Sequence, residues 1–423
     1  MPKNVCYDCI EDSYLSDIVQ SEGQNCRCAV CSSTNRHAIS IVRLGEILEP
    51  IMRQNLELGE NRPVFYDDDS IGYEQNGDSI SFWVQEFLGQ YFDFEEEIVS
   101  AVIAADNYWP SDGGEAFWDD GQTYEKLYIP GQSFLHQWKY TLSELQHSKR
   151  FFSPAARKLF TQLFDRVDLI EVQGKRKRRV ARTIPPGTTL FRARSCNSKS
   201  LIKDIVSDPL KHAGPPPASN AHAGRMNADG ITVLYAALDL NTCMAEVRPA
   251  IGGELAVITL RTTRPLRILD FSLLDIARDG RALSYFQPDY TEQLERRTFL
   301  RMLHSLISQP IVPGHEAEYL ITQTMSEYLA HVHPTPFDGV LFRSVQRSSG
   351  KNIVLFPGSN LLTDDVGELF GVSLAEDKPR IFSTTSVSYK HAEQSLDIDD
   401  DGIPWLTGST LDIDDDWFNT FGE

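Results

Sequence analysis

The chain has 423 residues, 41% hydrophobic and 10% aromatic, a composition that builds a real core and leaves room for two or three domains. Its formal charge of −20 weighs against sequence-independent nucleic-acid binding by the whole molecule, and so against nucleic acid as a partner. No apolar run reaches the roughly 18 residues of a membrane helix, and the opening MPKNVCYDCIEDS lacks a secretory apolar segment, so a soluble cytoplasmic protein is expected.

Five of the seven cysteines fall within the first 31 residues. Cys6, Cys9, Cys28 and Cys31 read C-x2-C-x18-C-x2-C, the spacing of a zinc ribbon over residues 1–40. Each C-x2-C turn presents two thiolates a metal's width apart, and two such turns complete a tetrahedron. Four thiolates leave no open position, so a zinc ion there is expected to be structural. Cys26 or His37 is an alternative ligand, and free thiols in a reducing cytosol are the competing reading. Cys196 and Cys243 read as ordinary half-buried cysteines.

Residues 41–172 read as a helical domain. Ile80, Val84, Phe87 and Tyr91 recur at helical spacing, as do Phe134, Trp138, Leu142 and Leu145. Ser153 and Pro154 form an N-cap and first helical position ahead of Leu159, Leu163 and Val167. The acidic clusters YDDDS and FEEE read as solvated faces or loops. VQGKRKRRVARTIPPG reads as a basic interdomain linker, with a nucleic-acid patch as the alternative; Lys175 to Arg194 holds eight basic residues and no acidic one.

From TTLFRAR onward short β-branched runs (ITVLYAA, LAVITLR, LRILDFS, FDGVLFR, NIVLFP, RIFSTTSVSYK) alternate with helical patterns such as YTEQLERRTFLRMLHSLI and AEYLITQTMSEYLAHV. This predicts an α+β domain over 173–390. Residues 391–423 carry ten acidic side chains and no Lys or Arg, and repeat LDIDDD; they read as an acidic tail, since no EF-hand glutamate follows. An autoinhibitory role, with the tail competing for an arginine-lined cleft, is the sharper alternative.

Within the α+β domain a set of chemically apt residues recurs near strand ends. Arg192 and Arg194 share one face of the strand in LFRAR. Arg225 follows Gly224 in a turn where backbone approaches a ligand, and Tyr235 projects from a strand. Glu246 lies among apolar neighbours, where a carboxylate needs a partner, and Ser344 follows the strand GVLF. Arginine forks for phosphate oxygens, an aromatic platform and one carboxylate suit a dinucleotide. A single glutamate stabilises the oxocarbenium-like state formed when nicotinamide leaves ribose. A structural Arg192–Glu246 ion pair with Tyr235 in the core is the competing reading.

FRAR, GRMNADG…LYAALDLNTCMAEVRP, LRILDFS, EYLITQTMSEYL and FDGVLFRS…GKNIVLF, in this order, resemble the RES domain. The resemblance implies an ADP-ribosyltransferase-like fold and an NAD⁺-consuming enzyme of toxin type, a glycohydrolase or phosphorylase, with NAD⁺ as substrate. It assigns Arg192, Glu246 and Ser344 as the family's Arg, Glu and Ser, and Arg225 and Tyr235 as phosphate and nicotinamide contacts. The family often has two adjacent serines, whereas here Val345 follows Ser344. An antitoxin or immunity protein and a homo-oligomeric state are compatible with the resemblance; a protein-modifying ADP-ribosyltransferase or an inactive binding module is the rival. The front half resembles the HEPN-like helical domain that precedes some RES domains. It lacks the Arg-x4–6-His motif of HEPN ribonucleases, which argues for a sensing or assembly role.

Overall fold

The computed structural model describes residues 3–65, 71–106, 116–127, 131–172, 178–196, 198–276, 283–308, 319–347, 349–358, 365–388, 395–398 and 404–407. The YDDDS cluster, Lys175–Lys177, Ser348 and most of the acidic tail lie outside these residues; of the tail, Ser395–Ile398 and Pro404–Thr407 form an antiparallel pair. The chain divides into two compact units, Met1–Ile129 with Arg281–Glu295, and Pro130–Gly280 with Arg296–Glu423.

In the first unit, strands Asn4–Cys6 and Gln24–Asn25 flank His37–Ser40 in an antiparallel sheet. Asp12 caps the helix Ser13–Glu22 by accepting the Leu15 N–H at 2.9 Å. Helices Ile41–Asn55, Ile80–Leu88 and Glu95–Ala105 bury Leu44, Leu48, Met52, Val84, Phe87, Ile98 and Val102 in one core. Gly45 is what lets two of them meet: a Cβ there would sit 2.6 Å from the Ala101 backbone.

Several local expectations change. Of the two readings of FEEE, the solvated face holds and the loop does not: Glu95, Glu96 and Glu97 open a helix with Glu96 and Glu97 exposed, where three carboxylates favour the positive N-terminal end of the dipole. Tyr91 lies past the left-handed Gly89 that ends its helix and is exposed. The stretch read as wholly helical also contains short strands, Leu56–Leu58, Asn61–Phe65, Ile71–Gln75, Asp78–Ser79 and Thr123–Lys126. The helices Gln132–His147 and Pro154–Leu163, read as part of the front domain, lie in the second unit. Their apolar faces (Phe134, Trp138, Leu159, Phe160, Leu163) join the core formed with Phe299, Leu303 and Tyr328.

The second unit is α+β, built on one nine-stranded sheet. Its strands are β1 (Ala181–Ile184), β2 (Thr189–Cys196), β3 (Leu234–Ala237), β4 (Glu254–Thr262), β5 (Leu266–Asp270), β6 (Gly339–Arg343), β7 (Lys351–Leu355), β8 (Val372–Leu374) and β9 (Arg380–Ser383). Their order is β1-β5-β6-β7-β3-β2-β4-β8, with β9 also on β4; only β5 and β6 run parallel. Alternation along the strands splits the apolar residues between two faces. One face carries Leu269, Val340, Phe342 and Val354, the other Leu190, Ile258, Ile268, Leu341 and Ile353.

One junction in this sheet is weak. Strand β2 pairs with β4 over its whole length, Thr189↔Arg261 to Cys196↔Glu254. Against β3 it makes a single pairing, Phe191↔Ala237, so the two strands splay apart on either side.

Candidate active site

Arg192 is the first residue beyond that lone pairing. Its Nε donates to the Ala213 carbonyl at 3.0 Å and its Nη1 to the Tyr235 carbonyl at 2.7 Å, pinning the guanidinium at the splay. Burial, the largest influence, pulls its pKa down to about 10, which still leaves a full cation near neutrality. Arg194, two residues on, is exposed and donates to the His212 carbonyl.

Gly224–Asn227 forms a tight turn closed by Gly224 N–H to Asn227 O at 2.9 Å. The Tyr235 hydroxyl sits inside it, accepting from Met226 N–H at 3.0 Å and donating to Asn227 Oδ1 at 2.9 Å. A Cβ on Gly224 would lie 2.7 Å from Asn227 Oδ1 and 2.8 Å from that hydroxyl. The bare glycine therefore admits the protein's own tyrosine, where the sequence suggested a ligand. Asn227 is buried, and its Nδ2 donates to His222 O, Ala228 O and Ile231 O at 2.9–3.1 Å.

The helix Leu320–Glu327 grips the turn from outside. Thr322 Oγ1 donates to Arg225 O at 2.6 Å, and Gln323 Nε2 to Gly224 O at 2.8 Å. The Arg225 guanidinium donates to the Ile307 carbonyl and lies 5.6 Å from the Tyr319 ring centre. Burial lowers its pKa, while Tyr319, Tyr235 and the charge of Glu246 oppose the shift. Tyr235 moves the other way: burial pushes its phenol up to about 12.

Glu246 ends the helix Leu240–Glu246, whose start is capped by Asp239 through Thr242 N–H at 2.9 Å and Thr242 Oγ1 at 2.6 Å. Two residues later Arg248 takes a left-handed conformation (φ 49°), ahead of Pro249. The expectation of a carboxylate among apolar neighbours is corrected: Glu246 is exposed, because it sits on the last turn. It does have a partner, for Ser344 Oγ donates to its Oε1. Ser344 is buried and its hydroxyl also accepts the N–H groups of Gln346 and Arg347, at 3.1 and 3.2 Å. Gly350 closes the loop with its carbonyl on Ser344 N–H at 2.9 Å, and packs so tightly on Thr242 that a Cβ would lie 2.2 Å from Oγ1.

The structure brings five of the residues singled out in the sequence together in two groups. Glu246 meets Ser344 directly, Arg192 meets Tyr235 through its carbonyl, and Arg225 shares a turn with the Tyr235 hydroxyl. No Arg192–Glu246 ion pair occurs among the described residues. Sequence reasoning missed Asn227, Asp239, Thr322, Gln323 and Tyr319, which position the five. Asp239 alone carried a readable sign, an aspartate ahead of a helix.

In the first unit the sulfurs of Cys6, Cys9, Cys28 and Cys31 all lie within 4.8 Å of one another. Cys6 Sγ is 3.6 Å from Cys9 Sγ and 3.7 Å from Cys31 Sγ, and Cys28 Sγ is 3.9 Å from Cys9 Sγ. Sulfurs about 2.3 Å from a central zinc have tetrahedral edges of about 3.8 Å, so the donor set fits the ion. Burial favours the neutral Cys28 thiol, but N–H groups of Cys31, Cys6 and Val30 outweigh it and bring the pKa down to about 7. Cys26 and His37 stand apart, Cys26 Sγ on Ala38 O and His37 Nδ1 on Gln20 O. Cys196 and Cys243 are both buried.

The profile of one family, the RES domain, matches residues 189–367, the span that runs from β2 through the Glu246 and Ser344 elements and past β7 to the start of the helix Val366–Phe370. The match covers less than half of the chain, and over it the chain is similar to the RES family. No curated protein and no solved structure matches the chain. No helix among the described residues is long and apolar enough to cross a membrane.

Proposed function

We propose that the protein consumes NAD⁺ by breaking the bond between nicotinamide and ribose. The observation that carries this reading is the Ser344–Glu246 hydrogen bond, which fixes one carboxylate close enough to the Arg225 guanidinium for their charges to interact. Arg192 and Arg225 hold the pyrophosphate, and the Tyr235 ring faces the nicotinamide with its hydroxyl tied into the turn. As the glycosidic bond breaks, its electron pair leaves with neutral nicotinamide, and the ribose carbon takes on oxocarbenium character. Glu246 stabilises that cation, and Ser344 holds the carboxylate in place. Water or phosphate then attacks the ribose carbon.

The four thiolates of Cys6, Cys9, Cys28 and Cys31 hold a structural zinc ion in this reading, remote in role from the chemistry. The activity fits a cytoplasmic toxin restrained by an antitoxin or immunity protein. Incubating the purified protein with NAD⁺ and identifying products by mass tests the proposal. Free nicotinamide with ADP-ribose or its phosphate is expected; label transferred to protein marks the ADP-ribosyltransferase instead, and intact NAD⁺ removes the enzymatic reading. Arg192→Ala is expected to weaken NAD⁺ binding as well as turnover, because phosphate contacts exist already in the ground state.

A further inference from the structure

The Ser344 hydroxyl can hold Glu246 only where its own backbone is held, and that backbone stands at the end of the sheet. Strand β6 pairs with β5 as far as Asp270↔Leu341, and with β7 as far as Arg343↔Lys351. Successive N–H groups along a strand point to opposite sides. The Ser344 N–H turns to the β7 side and meets the Gly350 carbonyl at 2.9 Å. The Arg343 N–H therefore turns the other way, beyond the last pairing with β5.

Its acceptor there is a side chain, His304, with Nε2 at 3.1 Å. His304 is buried, and it comes from the helix Tyr290–Ser308, 39 positions earlier in the chain. A backbone N–H only donates, so Nε2 carries the lone pair and the ring hydrogen sits on Nδ1. An imidazolium, or the other tautomer, offers Arg343 no acceptor.

The bonds of Ser344 to Gly350, Gln346 and Arg347 lie within one short loop and give it its shape. The His304 bond ties the residue that enters this loop to a separate helix. The same helix end also serves the other half of the site. Ile307, three residues past His304, receives the Arg225 guanidinium on its carbonyl. One helix thus carries a fixed point for Arg225 and a fixed point for the Ser344 loop.

We propose that His304 is a positioning residue for the Ser344–Glu246 pair: by accepting the Arg343 N–H it sets the backbone from which the Ser344 hydroxyl is aimed. Its consequence for turnover rests on the NAD⁺ reading above; its hold on the loop does not. The test uses the full chain, with His304→Leu to remove the acceptor and His304→Gln to keep an acceptor oxygen near the place of Nε2. Amide hydrogen exchange over residues 342–350 needs no substrate. It is expected to be about tenfold faster in His304→Leu and to return near the wild-type rate in His304→Gln. With NAD⁺, His304→Leu is expected to lower kcat about tenfold while KM stays within about twofold, and His304→Gln to recover most of the loss. In a Ser344→Ala background His304→Leu should lower kcat little further, because the group it aims is gone. Should His304→Leu fail to fold, His304→Asn, whose shorter side chain withdraws the acceptor, gives the same contrast with His304→Gln. Unchanged exchange over 342–350 without the acceptor overturns the proposal, whether or not NAD⁺ is cleaved. A kcat loss that adds in full to that of Ser344→Ala, or that His304→Gln does not relieve, overturns it as well and leaves His304 a packing role. Intact NAD⁺ with the wild type removes the enzymatic reading instead, and the exchange comparison then decides the role of His304.

Discussion

Ser344 and Glu246, 98 positions apart in sequence, share a hydrogen bond in which the buried hydroxyl donates to an exposed carboxylate. The serine is itself held by two backbone N–H groups, so its hydrogen is committed to Glu246. Glu246→Gln keeps the shape but removes the charge that faces the developing cation. A fall in NAD⁺ cleavage of about 10²–10³ is expected, about 3–4 kcal/mol of transition-state stabilisation. Ser344→Ala should lower kcat with KM little changed, since it frees the carboxylate without touching phosphate contacts. A folded Glu246→Gln protein turning over NAD⁺ at the wild-type rate would falsify the mechanism.

Gly224→Ala should be among the more damaging substitutions of a single methyl group. The new Cβ collides with Asn227 Oδ1 and the Tyr235 hydroxyl, both fixed in buried hydrogen bonds. Separating them leaves buried polar groups unpaired, costing about 1–3 kcal/mol. Thermal denaturation should show the loss, and Gly224→Ala with Tyr235→Phe should recover part of it. No recovery in the double variant would mean that the collision lies elsewhere.

Tyr235 makes stability depend on pH at the alkaline end. Its folded pKa, about 12, lies above the ordinary 10.0, because burial favours the neutral phenol. The folded state therefore keeps a proton that the unfolded chain releases: the contribution is fully present below pH 10 and is lost as pH rises toward 12. Two units amount to roughly 2–3 kcal/mol. Denaturant midpoints measured across that window should fall more steeply for the wild type than for Tyr235→Phe. Tyr290 is raised to about 12 as well, so some slope remains in the variant. Identical slopes would show that Tyr235 ionises freely.

Removing zinc should separate the two units functionally. Chelation, or Cys28→Ser, is expected to expose the first 40 residues to proteolysis while NAD⁺ cleavage continues, because the thiolates belong to the first unit. Elemental analysis of protein purified under reducing conditions should find one zinc per chain. Protein without zinc but with an intact N-terminal region would remove the metal from the account.

Much of this was legible in the sequence, for local reasons. The C-x2-C pairs place their own sulfurs, and the strands of the second unit announce themselves by β-branched runs. The helix at Pro154 is signalled by Ser153, whose Oγ accepts Ala156 N–H at 2.9 Å. What stayed hidden depends on partners distant in sequence. The exposure of Glu246 follows from its place on a last turn, which neighbouring hydrophobicity does not reveal. Gly224 is required by Tyr235 and Asn227, and Arg225 is set by Thr322, about a hundred positions on. The short strands of the first unit, between two and five residues long, are below the length at which alternation can be read.

The segment Arg281–Glu295 belongs to the first unit although it is encoded inside the stretch that matches the RES family. It brings Phe286 into that unit's core and stacks Tyr285 on Phe87 with ring centres 4.0 Å apart. An N-terminal domain ordinarily folds while the rest of the chain is still being synthesised. Here it cannot complete its core until the ribosome has passed residue 295, by which time β1 to β5 have already emerged. Cutting the gene at the boundary near residue 130 would likewise yield two incomplete products, one lacking Phe286 and the other carrying it with nothing to bury it.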